Sequence, residues 1–176
     1  SLDWFREALE QHYELKEAAR LGLGKHDDKE GRILNRLVRW TERDLAYEAD
    51  PRQSEKLIDE LGFQGAKGLS KPAVKPFIGS VSADTKLPES KVTHFRALAA
   101  RANFLSGDRP DITFAAKEVC RFMSAPIESS QLALKRLGRY LLGHKRVVYK
   151  YPFQRADCIE VYSDRDWSGC PRTRRS

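Results

Sequence analysis

The sequence contains no apolar run near the roughly 20 residues that a membrane span requires, so no segment reads as a spanning helix. Cysteine is scarce. Cys120, Cys158 and Cys170 are odd in number and lack CxxC spacing, which excludes a disulfide framework and leaves too few neighbouring ligands for a zinc site. Reduced thiols in an intracellular setting, cytoplasmic or nuclear, are the reading that remains. His26, His94 and His144 show neither triad nor metal-ligand spacing, and no internal repeat or low-complexity tract occurs. The N-terminus reads as an amphipathic helix, not a signal peptide.

What is present is a wet, basic chain able to build a modest core. It has 176 residues, 40% of them hydrophobic and 32% charged, with a mean hydropathy of −0.61. Three Trp, six Tyr and eight Phe argue against wholesale disorder. Lys and Arg number 32 against 25 Asp and Glu, giving a net charge of +7. Such an excess favours a polyanionic partner, because counterion release from phosphates drives association without base reading.

Leu2, Phe5, Leu9 and Tyr13 recur at helical spacing and predict a helix from Leu2 to about Ala19, stopped by Gly22 and Gly24. A charged loop over 25–31 follows. Alternation over 34–40 and 45–49, around the turn Thr41-Glu42-Arg43-Asp44, predicts a hairpin. Asp50-Pro51 opens the next helix, with Gln53 where a capping-box partner sits, and Gly62 closes it. From 64 to 90 the pattern dissolves into Gly, Ser, Lys and Pro, the expected linker and domain boundary.

Three further helices are expected. The first is striped by Phe95, Leu98, Ala102 and Leu105, the second starts at Pro110-Asp111, and the third runs from Glu128 to Gly143. Strands at 147–151 and 159–163 complete the pattern. The fold class is therefore α+β, mostly helical, with a small N-terminal hairpin and a C-terminal strand pair.

Several residue groups have two readings. Lys135, Arg136 and Arg139, with Lys145 and Arg146 beyond, either track a phosphate backbone or form a solvated helix face. Arg172, Arg174 and Arg175 form a denser basic tail suited to phosphate forks or to a frayed terminus. Trp40 and Trp167 either stack on bases or belong to packed surfaces. Arg109-Pro110-Asp111-Ile112 reads locally, with Pro110 fixing helix entry and Arg109 pairing with a carboxylate. Asp164 and Asp166 lie two apart on an expected strand, so both can face one cation; a polar turn explains them as well.

Taken in order, Phe95-Arg96-Ala97-Leu98, Ala102-Asn103-Phe104-Leu105, Arg109-Pro110-Asp111-Ile112, Phe122-Met123-Ser124-Ala125-Pro126, Leu134-Lys135-Arg136-Leu137-Gly138-Arg139-Tyr140-Leu141 and Tyr162-Ser163-Asp164-Arg165-Asp166-Trp167-Ser168-Gly169 resemble the copia-type LTR-retrotransposon Pol polyproteins. The resemblance covers about Val92 to Ser176, and the N-terminal half matches less tightly. It implies the end of a reverse-transcriptase palm and thumb over 1–63, a flexible linker over 64–90, a helical connection over 91–145, and the first strands of an incomplete RNase H-like domain over 146–176. Residues 33–49 then lie near the primer grip.

Asp164 matches the first metal-binding aspartate of that RNase H. The polymerase aspartates would lie upstream of Leu2 and the remaining RNase H carboxylates downstream of Ser176. Magnesium is the cofactor of the full-length family enzyme. One carboxylate cannot hold two ions and aim a water, so no tightly bound ion is expected in this chain and no activity from it alone. RNA–DNA hybrid or duplex nucleic acid is the implied partner, gripped without sequence preference. The alternative is a retained retrotransposon-derived chain serving as a structural or interaction subunit of a larger assembly, or docking on the rest of the polyprotein.

Overall fold

The computed structural model describes residues 2–74, 85–155 and 157–163. Two compact units emerge, residues 1–47 with 149–153 and residues 48–148 with 154–176. The described residues form an α+β fold, as the sequence predicts.

The first unit contains α1 (Leu2–Glu10), β1 (Glu30–Ile33), β2 (Arg36–Trp40) and most of β3 (Asp44–Glu48) and β4 (Val148–Pro152). The strands form one sheet in the order β1-β2-β3-β4. β1 and β2 pair antiparallel from Glu30 opposite Arg39 to Ile33 opposite Arg36, and Arg39 Nε donates to Glu30 Oε2 at 2.6 Å across the pair. Leu34 and Asn35 form the two-residue connection, with φ of +50° and +66°. Positive φ at both central residues is what a type I′ hairpin turn needs, since its twist matches that of the strands.

This corrects the sequence reading, in which Leu34 began a strand and residues 25–31 were all loop. No glycine marks the turn, and Asn35 is its only chemical signal. The turn between β2 and β3 falls where predicted: Thr41 N donates to Asp44 O at 2.9 Å, and the Thr41 hydroxyl donates to Asp44 Oδ1 at 2.9 Å. Trp40 stacks on Phe153 with centroids 5.2 Å apart, so its ring is used in packing.

The first helix is shorter than its pattern suggests. It stops at Glu10 and buries no residue. Arg6 pairs with Glu17 at 3.0 Å and Arg20 with Asp3 at 2.6 Å, which folds residues 15–21 back along α1. Between them lies a groove of about 550 Å³ lined by Leu2, Phe5, Leu9, Leu15 and Leu21.

The second unit is a helical cluster: α2 (Pro51–Glu60), α3 (Glu89–Ser106), a 3₁₀ turn (Pro110–Ile112), α4 (Thr113–Cys120) and α5 (Glu128–Gly143). Asp50 caps α2 as predicted, accepting from Arg52 N at 3.1 Å. Gln53 does not complete a capping box; its Oε1 accepts from Arg101 on α3 at 3.0 Å. Phe95, Leu98, Ala102 and Leu105 of α3 are all buried, as are Leu134, Leu137 and Leu141 of α5. Each such leucine contributes about 2 kcal/mol. That outweighs the cost of about 1 kcal/mol for Gly138 in mid-helix.

Two expectations in this region change. The second helix, expected to start at Pro110-Asp111, opens with a 3₁₀ turn over Pro110–Ile112, and its Phe114 is half exposed. Residues 159–163 take no part in a strand, and Ile159, Val161 and Tyr162 are exposed; β4 joins the N-terminal sheet instead. Residues 64–74 lie within the second unit, and Leu69 N donates to Arg139 O on α5 at 3.1 Å.

Replacing Leu34 by Asn should stabilise the hairpin by about 1 kcal/mol, because left-handed backbone costs leucine more than asparagine. A rise in urea midpoint checks it. Gly138→Ala acts in the opposite direction. Its Cβ would lie 2.4 Å from Leu61 Cδ1 and 3.2 Å from the Phe63 ring, so a loss of about 1–3 kcal/mol in chemical denaturation is expected.

Candidate nucleic-acid interface

Most described arginines of the second unit are engaged by the fold. Arg109 is 2% exposed, and its Nε and Nη2 reach the two Asp111 carboxylate oxygens at 2.8 and 2.7 Å. The same Nη2 donates to His144 O at 3.0 Å, satisfying a carbonyl at the end of α5. Tyr140 donates its hydroxyl to Asp111 Oδ2 at 2.9 Å and stacks on the His144 ring at 4.4 Å. Burial pushes the Asp111 carboxyl up, but the Arg109 fork and the Tyr140 hydroxyl overcome this and hold it below its ordinary value.

Arg96 donates to Met123 O at 2.7 Å and to Ser124 O at 3.1 Å, fastening the turn after α4 to α3. Arg101 reaches Gln53 and also Glu60, the latter at 3.3 Å, and Arg121 pairs with Glu118 at 3.0 Å. Arg146 forks onto the buried Glu48, with Nη2 at 2.9 Å from Oε2. That pairing removes Arg146 from the basic row proposed for it. Its sequence neighbours give no hint, since Glu48 lies 98 residues away.

Lys135, Arg136 and Arg139 differ. All three lie on α5, and none forms an ion pair with a carboxylate among the described residues. Lys135 is exposed, while Arg136 and Arg139 are partly covered. Arg139 Nε donates to Lys67 O at 3.1 Å, which leaves its two terminal nitrogens without a partner among the described residues. The Nε of Arg136 is buried without a partner. A single helix thus presents three cations on a rigid support, and a backbone phosphate is an acceptor that each can use.

The other predicted site residues, Asp164, Asp166, Arg172, Arg174 and Arg175, lie outside the described residues, as does Trp167. Among the described residues no three His, Cys, Asp or Glu side chains gather as a metal site, so no step is routed here through magnesium. Cys120 donates to Ala99 O at 3.4 Å, and burial pushes its thiol pKa up, which suits a packed side chain and not a nucleophile. Among the described residues no helix is long and apolar enough to cross a membrane.

These contacts join the sequence motifs to one another in space. The Arg96 motif grips the Met123–Ser124 motif, and the Arg109 motif locks to Tyr140. Retrotransposon Pol polyproteins of the copia type are homologues of this chain, at moderate identity over much of its length. Among its relatives in Arabidopsis thaliana, the uncharacterized mitochondrial protein AtMg00810 is 30% identical over 128 residues, 71% of this chain and 51% of that protein. The retrovirus-related Pol polyproteins from transposons RE1 and RE2 are 32% and 30% identical over 113 and 119 residues, 64% and 67% of this chain but 8% of each polyprotein. The chain thus spans about half of the first relative and a small part of the other two. No family model and no solved structure matches the sequence.

Asp111→Asn should destabilise the second unit by about 3 kcal/mol, since it leaves the buried Arg109 cation without its counter-charge. The pH dependence follows from the lowered Asp111 pKa. Its stabilisation is present above the unfolded value near 3.8 and is lost as pH falls through the lower folded value. Urea denaturation against pH should therefore show a shallower acid limb in Asp111→Asn than in the unsubstituted chain.

Proposed function

We propose that the chain is a gripping segment of a Pol polyprotein, holding an RNA–DNA hybrid or duplex through its phosphates and performing no catalysis alone. The observation that carries this is the α5 row of Lys135, Arg136 and Arg139, which meet no carboxylate among the described residues while Arg101, Arg109, Arg121 and Arg146 are paired internally. The net charge of +7 adds a long-range attraction of the same sign. The kinship to Pol polyproteins supplies a setting in which such a surface has use, with the remainder of a polyprotein as its neighbour.

In this reading residues 1–63 correspond to the end of a reverse-transcriptase palm and its thumb, 91–145 to the connection, and 146–176 to the start of an RNase H-like domain. Arg172, Arg174 and Arg175 extend the phosphate contacts. Residues 33–49 correspond to the stretch near the primer grip. Asp164 is one metal-binding carboxylate of an RNase H site that needs partners from elsewhere, with magnesium as its ion.

A second reading rests on α1. Its exposed Leu2, Trp4 and Phe5 suit docking on protein, as a structural or interaction subunit would require. Stable co-purification with a protein partner, together with no affinity for nucleic acid, would favour it.

Fluorescence anisotropy on a mixed-sequence hybrid should show binding that weakens steeply with salt. Replacing Lys135, Arg136 and Arg139 together by Ala should flatten the slope of log affinity against log salt by up to about 2.7. Binding insensitive to salt, or none, sinks the reading. Asp164→Asn should leave binding unchanged, and neither form should cleave the hybrid in magnesium. Cleavage abolished by that substitution would overturn the non-catalytic assignment.

A further inference from the structure

Residues 61–73 form a strap along α5. Leu61, Phe63 and Ala73 pack against the buried core, which anchors the strap at both ends. Between those anchors two polar contacts run in opposite directions. Leu69 N donates to Arg139 O at 3.1 Å, and Arg139 Nε donates to Lys67 O at 3.1 Å. One α5 residue is therefore held to the strap through both its backbone and its side chain.

The approach that permits this is unusually close. A Cβ on Gly68 would lie 2.8 Å from Gly143 Cα and 3.0 Å from Gly143 N. Those are backbone atoms, which cannot swing aside as a flexible side chain can. Gly68 is thus required by contact and not by its own dihedrals.

The electrostatic consequence is local. Nε is spent on the Lys67 carbonyl, so the Arg139 guanidinium has a set orientation while its terminal nitrogens have no partner among the described residues. Lys67, whose carbonyl supplies the contact, is itself exposed and has no carboxylate partner among the described residues. The main chain of an exposed lysine from another segment is thus brought against the Arg139 guanidinium, and a contact through main-chain oxygen cancels neither charge.

We propose that Lys67 is a phosphate-binding residue that extends the α5 row onto the strap, and that Gly68 is its positioning residue. The ligand is the phosphodiester backbone of a nucleic acid, with Arg139 and Lys67 taking neighbouring phosphates. Arg139 offers a fixed fork, and Lys67 a flexible point charge beside it. The proposal rests on the gripping reading above and adds to it a residue that composition and helical periodicity do not single out.

The full chain is titrated onto a labelled mixed-sequence RNA–DNA hybrid at several salt concentrations. Lys67→Ala should weaken binding for every sequence tested and lower the salt slope by about 1. Lys67→Arg should retain the slope, and Lys91→Ala, which removes an exposed lysine on α3, should leave it unchanged. Gly68→Ala should lower affinity as Lys67→Ala does while circular dichroism stays that of the unsubstituted chain. If Gly68→Ala also loses its helical signal, the Lys67 variants alone decide. Salt-dependent binding that Lys67→Ala leaves unaltered, or that Lys91→Ala weakens equally, overturns the assignment of Lys67 and spares the gripping reading. Absence of salt-dependent binding by the unsubstituted chain overturns both.

Discussion

Arg109 is buried to 2% exposure, and the second unit is arranged around the need to satisfy it. A guanidinium taken out of water carries a desolvation cost of several kcal/mol, and it persists only where geometry returns that energy. Here the return comes from three acceptor contacts: both Asp111 oxygens and the carbonyl of His144. The consequence is topological. The turn before α4 and the last turn of α5 must lie side by side, and the Tyr140 hydroxyl on the same carboxylate permits only one register between them.

The same logic divides the remaining cations into two groups. Arg101, Arg121 and Arg146, like Arg109, each end on a carboxylate of the fold, which compensates their charge. Among the described residues Lys135, Arg136 and Arg139 meet no carboxylate, although they stand on a helix with a well-buried face. A basic protein is thus resolved into structural cations and surface cations, and only the second group can release counterions from a polyanion. Net charge by itself does not make that distinction. The strap at 61–73 belongs to both groups, because it packs as part of the core while carrying an exposed lysine.

The helices of the second unit were largely legible in the chain. The stripe Phe95, Leu98, Ala102, Leu105 and the bounds of α5 are where periodicity puts them, because those faces have a core to meet. The α1 stripe is equally periodic, yet it buries nothing and its helix ends at Glu10. Pattern reports what a face could bury, whereas neighbours decide whether it does. The Leu34–Asn35 turn escaped detection since its left-handed leucine has no sequence signature. Residues 159–163 alternate like a strand, but alternation supplies no hydrogen-bonding neighbour, and β4 found its partners elsewhere. As for the candidate interface, the three α5 cations were visible from spacing. Lys67 was not, since it sits in a stretch whose Gly, Ser and Lys content reads as linker.

Local chemistry therefore determined the α+β class, the capped start of α2, the buried stripe of α3, the bounds of α5, and the kinship to Pol polyproteins carried by the ordered motifs. Those features depend on neighbours in the chain, within a turn or two of helix, or on residue identities alone. Tertiary structure decided which charges are available. Arg146 was removed by a glutamate 98 residues away, Arg139 was oriented by a carbonyl 72 residues away, and Arg109 was buried against the end of a helix 35 residues on. An ion pair is formed by distance in space, and sequence separation does not encode that distance until the core has set it.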